Sequence, residues 1–194
     1  WAGLDLDNKV VDAYRVVKLA IKMLLLTGCR PVEITGMRWT EIENAVLTIP
    51  ATRMKGKEAH EVPLTMTALE LLEEARSLSG NSLYVFSSTQ KDGSPITPGS
   101  LSRALLRHRD MMEIEIPFTP HDARRTLRTR LAELGVDDVV AERVLGHKLQ
   151  GVLKVYNRHS YIKEKRAALE KWEGKLRLIV GLDRPEVAKV IKLE

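Results

Sequence analysis

The stretch Thr27-Gly28-Cys29-Arg30-Pro31-Val32-Glu33-Ile34 holds a helix stop and a helix start back to back. Gly28 is placed to end a helix, because glycine takes up a left-handed backbone without a Cβ penalty. Pro31 sits where the next helix has its first turn, and Glu33 lies near that helix's positive end. Arg30 is thereby caught at a helix start, where backbone N–H groups converge. Upstream, Val10, Tyr14, Val17, Ile21, Leu24 and Leu25 recur at steps of three and four, which predicts a helix over about 9–27. The helix that begins at Pro31 is expected to run to about Met37.

Further out the pattern changes. Ala45-Val46-Leu47-Thr48-Ile49-Pro50 reads as a strand and Glu61-Val62-Pro63-Leu64 as a second, with a polar, Gly-containing hairpin over 52–60 between them. A helix over about 66–78 follows, then an apolar strand-like run, Leu83-Tyr84-Val85-Phe86, and a loop at 91–98 marked by its turn residues. From residue 99 the chain reads as helical almost to its end. One helix covers about 99–112. Thr119-Pro120-His121-Asp122 opens another, with Thr as N-cap, Pro at the first helical position and an acid at the third. Leu127, Leu131 and Leu134 give that helix its apolar face, and Gly135 ends it. Helices over about 137–145, stopped at Gly146, over about 149–156, and from about 161 complete the expected order. The simplest architecture is one compact, mainly helical domain with a small antiparallel sheet.

Composition bounds the function. The 194 residues are 44% hydrophobic and 29% charged, a balance that gives one globular domain a real core and excludes disorder or a rod. The single cysteine, Cys29, excludes an internal disulfide framework and a Cys-based zinc site, and fits a reducing compartment. No apolar run approaches the ~18 residues of a membrane span. The chain begins at Trp1 without a Met and is read as a fragment of a longer protein. Net charge is +5, and it is unevenly spread. Residues 1–100 carry 11 Lys/Arg against 12 Asp/Glu, residues 101–170 carry 14 against 10, and residues 171–194 six against four. The basic second half points to an anionic partner.

Several residues suit chemistry more than packing. His121 and Arg124 are three apart on a capped helix and so share a face. His147 lies just past a helix-ending glycine, and Tyr156 follows nine residues later within Lys154-Val155-Tyr156-Asn157-Arg158-His159. Taken together, Thr27–Ile34, Lys55 in the hairpin before Val62-Pro63-Leu64, His121-Asp122-Ala123-Arg124-Arg125-Thr126, Leu145-Gly146-His147 and Tyr156 resemble the catalytic domain of the tyrosine recombinases, the phage-integrase family. The resemblance covers about residues 10–172, and the stretch 156–161 is similar to integrases of prophages and genomic islands.

The resemblance implies a mainly α (α+β) fold with a three-stranded antiparallel sheet, a catalytic domain over 1–172 and a C-terminal tail over 173–194 that packs in cis or in trans. It implies site-specific strand breakage and rejoining. Tyr156 would attack the scissile phosphate to give a 3′-phosphotyrosyl DNA intermediate and a leaving 5′-hydroxyl, with no metal, ATP or other cofactor. Arg30 and Arg124 would hold the phosphate through their planar guanidinium forks. Lys55 would give the leaving oxygen its proton, His121 would manage the tyrosine proton or hold a phosphate oxygen, and His147 would hydrogen-bond the same phosphate. Lys57 is the rival of Lys55, Arg125 of Arg124, and Tyr161 of Tyr156. Glu33 is expected to orient charge rather than react, and His60 and His159 to be polar residues of hairpin and helix.

The implied partner is double-stranded DNA at attachment sites, bound by a homotetramer linked through C-terminal exchange, in the bacterial cytoplasm. Lys57, Arg103, Arg107, Lys148 and Arg158, with Arg109 and Lys154, could line the DNA face, mostly on phosphate. Ser102, Arg103 and Arg107 could reach base edges. A type IB topoisomerase-like enzyme and a non-catalytic DNA-binding module are the alternatives. One departure from the family pattern lies between His147 and Tyr156, where 148–155 lacks the usual Ser/Thr-rich stretch.

Overall fold

The computed structural model describes residues 12–54, 56–88, 93–109, 115–147 and 159–183. Its first helix, α1, spans Asp12–Thr27 and is buried on nearly every side from Val16 to Leu26. Gly28, at φ +64°, ends it, and after Cys29 the short helix α2, Pro31–Thr35, begins. Both signals in the quoted stretch are thus used as read.

A three-stranded antiparallel sheet follows, in the order β1 (Ile42–Glu43), β2 (Val46–Ile49), β3 (His60–Pro63). The strand-like run at 83–86 is not one of its strands, which corrects the sequence reading. That run makes single bridges instead, through Tyr84 to Arg38, with Ser87 bridging Pro95 beyond it. Val85 and Phe86 are apolar because they are buried, not because they alternate. The strand that sequence missed is β1. Asn44 and Ala45, at φ +49° and +56°, turn it into β2, the left-handed pair that a two-residue hairpin requires. Ala45 is an unusual residue there, and its carbonyl is held by the Leu64 N–H at 2.9 Å and by Arg166 at 3.1 Å.

Helix α3 spans Met66–Ser79. Helix α4 is Pro98–Arg107, shorter than the expected 99–112: Thr97 caps it through the Ser100 N–H, Pro98 is its first residue, and His108 closes it. Helix α5 is Pro120–Glu133, α6 is Asp138–Val144 and α7 is Ile162–Ile179. The helix expected at 149–156 lies outside the described residues.

Three of these helices end alike. After α5, α6 and α7 the chain passes through Gly135, Gly146 and Gly181 at φ +68°, +66° and +76°. In each case the next residue's N–H returns to a carbonyl five residues back: Val136 to Leu131, His147 to Glu142, Leu182 to Arg177. This closes the orphan carbonyls of the last turn. The core runs through α1, α3, the sheet, α5 and α7, with Met23, Leu24, Ile34, Leu47, Leu127 and Trp172 among its most buried members. Helix α7 passes through residue 172 without a break, and Leu176 is still buried beyond it.

Candidate active site

Arg30 is placed by its own helix. Its backbone N–H donates to Glu33 Oε2 at 2.7 Å while its guanidinium donates to Glu33 Oε1 at 2.7 Å. One buried carboxylate thus caps the start of α2 and fixes the arginine beside it. That is the orienting role expected of Glu33. Behind it, Arg53 donates to the Glu33 carbonyl at 2.7 Å and pairs with Glu41, which ties the entry of the β2–β3 hairpin to the Arg30 turn.

Helix α5 carries the second arginine. Asp122 Oδ2 accepts from the Thr119 N–H at 2.9 Å and its hydroxyl at 2.6 Å, the predicted start signal. The hydroxyl bond, then the N–H bond, lowers the Asp122 pKa. Arg125 pairs outward with Asp122 at 3.1 Å and is exposed. Arg124 points the other way and is only 4% exposed. It donates to the Gly28 carbonyl at 2.8 Å, to the Leu145 carbonyl, and to His147 Nε2 at 2.8 Å. Of the two neighbouring arginines, Arg124 is thus the one that turns inward. Burial, and then repulsion from Arg30, lower the Arg124 pKa. Two guanidinium groups share one corner with less carboxylate than they can use, and such a corner attracts an anion.

His147 sits immediately after Gly146. The Schellman turn brings it back over α6, so that Nδ1 lies 2.5 Å from Glu142 Oε2. Glu142 Oε1 accepts from Arg128 Nε at 2.9 Å, and Arg128 also reaches Asp138 at 2.8 Å. The His147 side chain remains 41% exposed, although both its ring nitrogens are engaged.

His60 is buried at the start of β3, where Nε2 donates to the Val144 carbonyl at 3.1 Å. Burial, helped by Lys165, pushes its pKa down to about 3. Its ring fills the space beside Gly146, where any Cβ would come within 2.9 Å of it. His159 is exposed and pairs with Glu164 at 2.8 Å.

The remaining expected residues divide. His121 is exposed in the first turn of α5, one turn before Arg124. Lys57 is exposed in the hairpin, and Ser102, Arg103 and Arg107 are exposed on α4. Arg109 donates to the Glu115 carbonyl at 2.7 Å. Lys55, Lys148, Lys154, Tyr156 and Arg158 lie outside the described residues. Among the described residues, no three His, Cys, Asp or Glu side chains gather where they could hold a metal ion, and no helix is long and apolar enough to cross a membrane.

Residues 6–163 match the model of the phage integrase family. The chain belongs to the phage integrase family. Among its relatives, prophage integrase IntZ of Escherichia coli K12 is 34% identical over 157 residues, and IntA of the same strain 35% over 151. These alignments take in 79% and 76% of this chain, which spans 38% and 36% of those two integrases. Among solved structures, XerH site-specific recombinase bound to its difH substrate superposes with a TM-score of 0.64 at 18% identity, covering 94% of this chain and 49% of that one. A lambda integrase dimer bound to a COC′ core site gives 0.56 at 24% identity, covering 75% and 52%. The mainly helical integrase fold with its small sheet is therefore what this chain adopts.

Sequence reasoning missed Glu142 and Arg128. A signal was present: Glu142 stands five residues before His147 across a helix-ending glycine, and the Schellman turn brings those two positions together.

Proposed function

We propose that this chain is the catalytic part of a site-specific DNA recombinase, an integrase acting on the attachment sites of a mobile element in the bacterial cytoplasm. The observation that carries the reading is the buried Arg124, held by two carbonyls and His147 beside Arg30. The DNA-bound complexes of the structural neighbours, among them a lambda integrase tetramer on a Holliday junction, support duplex DNA as partner and assembly on it.

In this reading Arg30 and Arg124 clamp the non-bridging oxygens of the scissile phosphate. They neutralise charge that grows as the fifth oxygen approaches phosphorus, and such preorganised cations lower the barrier by several kcal/mol. Tyr156 supplies that oxygen and becomes bonded to the 3′ phosphate as the 5′ oxygen leaves. His121 receives or relays the tyrosine proton, and Lys55 gives one to the 5′ oxygen, so protons balance across the step. The phosphodiester energy is kept in the tyrosyl link, so the reverse attack by a 5′-hydroxyl rejoins a strand. Lys57, Arg103, Arg107, Lys148 and Arg158 would hold the duplex by its phosphates. Of the segment 173–194, expected to pack in cis or in trans, Glu173 and Arg177 hold α3 of their own chain, so any link between protomers would fall to residues beyond 183.

Supercoiled plasmid incubated with the protein in excess EDTA at low salt, beside Tyr156→Phe, tests this. Relaxation by wild type alone, with a detergent-trapped protein–DNA adduct, is expected. Relaxation by both proteins would overturn the assignment of Tyr156. Relaxation without exchange between two site-bearing duplexes would favour the topoisomerase-like alternative.

A further inference from the structure

The contacts of His147 fix where its proton is. Arg124 can only donate, so the ring nitrogen it meets at 2.8 Å, Nε2, must offer a lone pair. The proton is then on Nδ1, directed at the Glu142 carboxylate 2.5 Å away. In this state the ring is neutral and its outward nitrogen is occupied, so it has nothing to donate to an anion. An anion that enters beside Arg124 competes for that guanidinium, and Nε2 can turn to the anion only by taking up a proton. We propose that Glu142 is a positioning residue for His147: it holds the Nδ1 proton, sets the ring's direction, and stabilises the imidazolium that donates to a bound phosphate from Nε2. This rests on the reading of the site as a phosphate site.

Glu142 is suited to the task because it is itself held. Arg128 grips its other oxygen, and the backbone N–H of His147 donates to its carbonyl at 2.9 Å. Its pKa is lowered against the effect of its own partial burial, chiefly by the hydrogen bond from His147 and then by that from Arg128. A carboxylate locked against one ring nitrogen fixes the tautomer and favours the protonated ring.

The other charged groups around His147 come from neighbouring elements. Arg124 and Arg128 reach it or its carboxylate from α5. A polar cavity of about 200 Å³ beside the ring is lined also by Glu58, His60 and Glu61 from the hairpin and β3, by Arg143 from α6, and by His159 and Lys165 at the start of α7. His60 stays neutral down to about pH 3, and His159, paired with Glu164, is replaced in a control.

The test reads the ring directly. Long-range 1H–15N spectra of the full chain give each histidine's tautomer and pKa, with His147→Gln to assign the signal and His159→Gln as background. Inorganic phosphate is the probe. Wild type is expected to show Nδ1–H at neutral pH and a higher His147 pKa when phosphate is added. Glu142→Gln, which keeps an acceptor but loses the charge, is expected to lower that pKa by about one unit, roughly a tenfold loss of proton affinity. Glu142→Ala is expected to release the tautomer as well. An Nε2–H ring in wild type, or an unchanged pKa in Glu142→Gln, overturns the proposal. The basic limb of plasmid relaxation should move to lower pH in Glu142→Gln by the same amount. Tyr156→Phe separates the two readings: if it relaxes plasmid like wild type, the cleavage assignment falls, while the ring spectrum still decides the role of Glu142.

Discussion

Gly28 shows how much one position can demand. Its φ of +64° is a conformation that L residues adopt only with strain, and a Cβ there would lie 2.2 Å from Leu127 Cδ2. Its carbonyl is also one of the three groups that hold Arg124. Gly28→Ala therefore combines backbone strain with overpacking against α5, a loss of about 2–4 kcal/mol from the two causes together. Urea unfolding should show it as a midpoint shift with an unchanged slope, and a variant within about 0.5 kcal/mol of wild type would mean that α5 can retreat. Next to it, Cys29 is buried and its thiol is pushed up to about 12, by burial first and Glu33 second. It behaves as a small core residue, not a nucleophile. These residues were legible in sequence because glycine and proline carry their backbone geometry with them. Glu142 was not, because its partner is reached across a turn rather than along a helix face.

At the scale of elements, the sheet is held from outside by groups that no strand pattern foretells. β3 is an edge strand. Its Glu61 carbonyl accepts from Lys165 and the Leu64 carbonyl from Arg166 at 3.2 Å, both on α7, while His60 pins its first residue to the end of α6. The strands β2 and β3 were readable from their apolar residues. The third was not, since two residues leave no alternation to count, whereas the buried run at 83–86 carries the stronger strand signal. The burial of His60 was not legible either, because the carbonyl its ring meets lies 84 residues away. Its burial has a consequence in pH. The unfolded chain protonates His60 near 6.5, the folded chain only near 3. The unfolded state thus binds more protons across that window, so stability is full above pH 6.5 and is lost as pH falls towards 3, with a limiting slope of about 1.4 kcal/mol per pH unit. His60→Gln cannot take up that proton. The difference in unfolding free energy between wild type and variant should narrow steadily from pH 7 to pH 5, and a pH-independent difference would contradict the buried neutral ring.

The whole molecule is closed by α7. Besides its grip on β3, Glu173 accepts from the Thr67 N–H at 2.6 Å and so caps α3 from another element, and Arg177 reaches the Thr67 hydroxyl at 3.0 Å. Trp172, 2% exposed, donates from Nε1 to the Leu25 carbonyl at 2.7 Å, one of the last four carbonyls of α1. The helix therefore joins α1, α3 and the sheet through polar contacts at its core face, around one large ring. Removing that ring leaves a cavity between α1 and α7 and frees a carbonyl. Trp172→Ala is expected to cost about 3–5 kcal/mol, a large share of the 5–15 kcal/mol that holds an ordinary domain together. Trp172→Phe keeps most of the volume but loses the donor, at about 1–3 kcal/mol. Thermal unfolding followed by circular dichroism and by calorimetry separates two views of α7. If it is integral, both variants lower a single cooperative transition, Trp172→Ala much further. If it is an appendage, a small early transition appears in Trp172→Ala while the main one stays where it is in wild type.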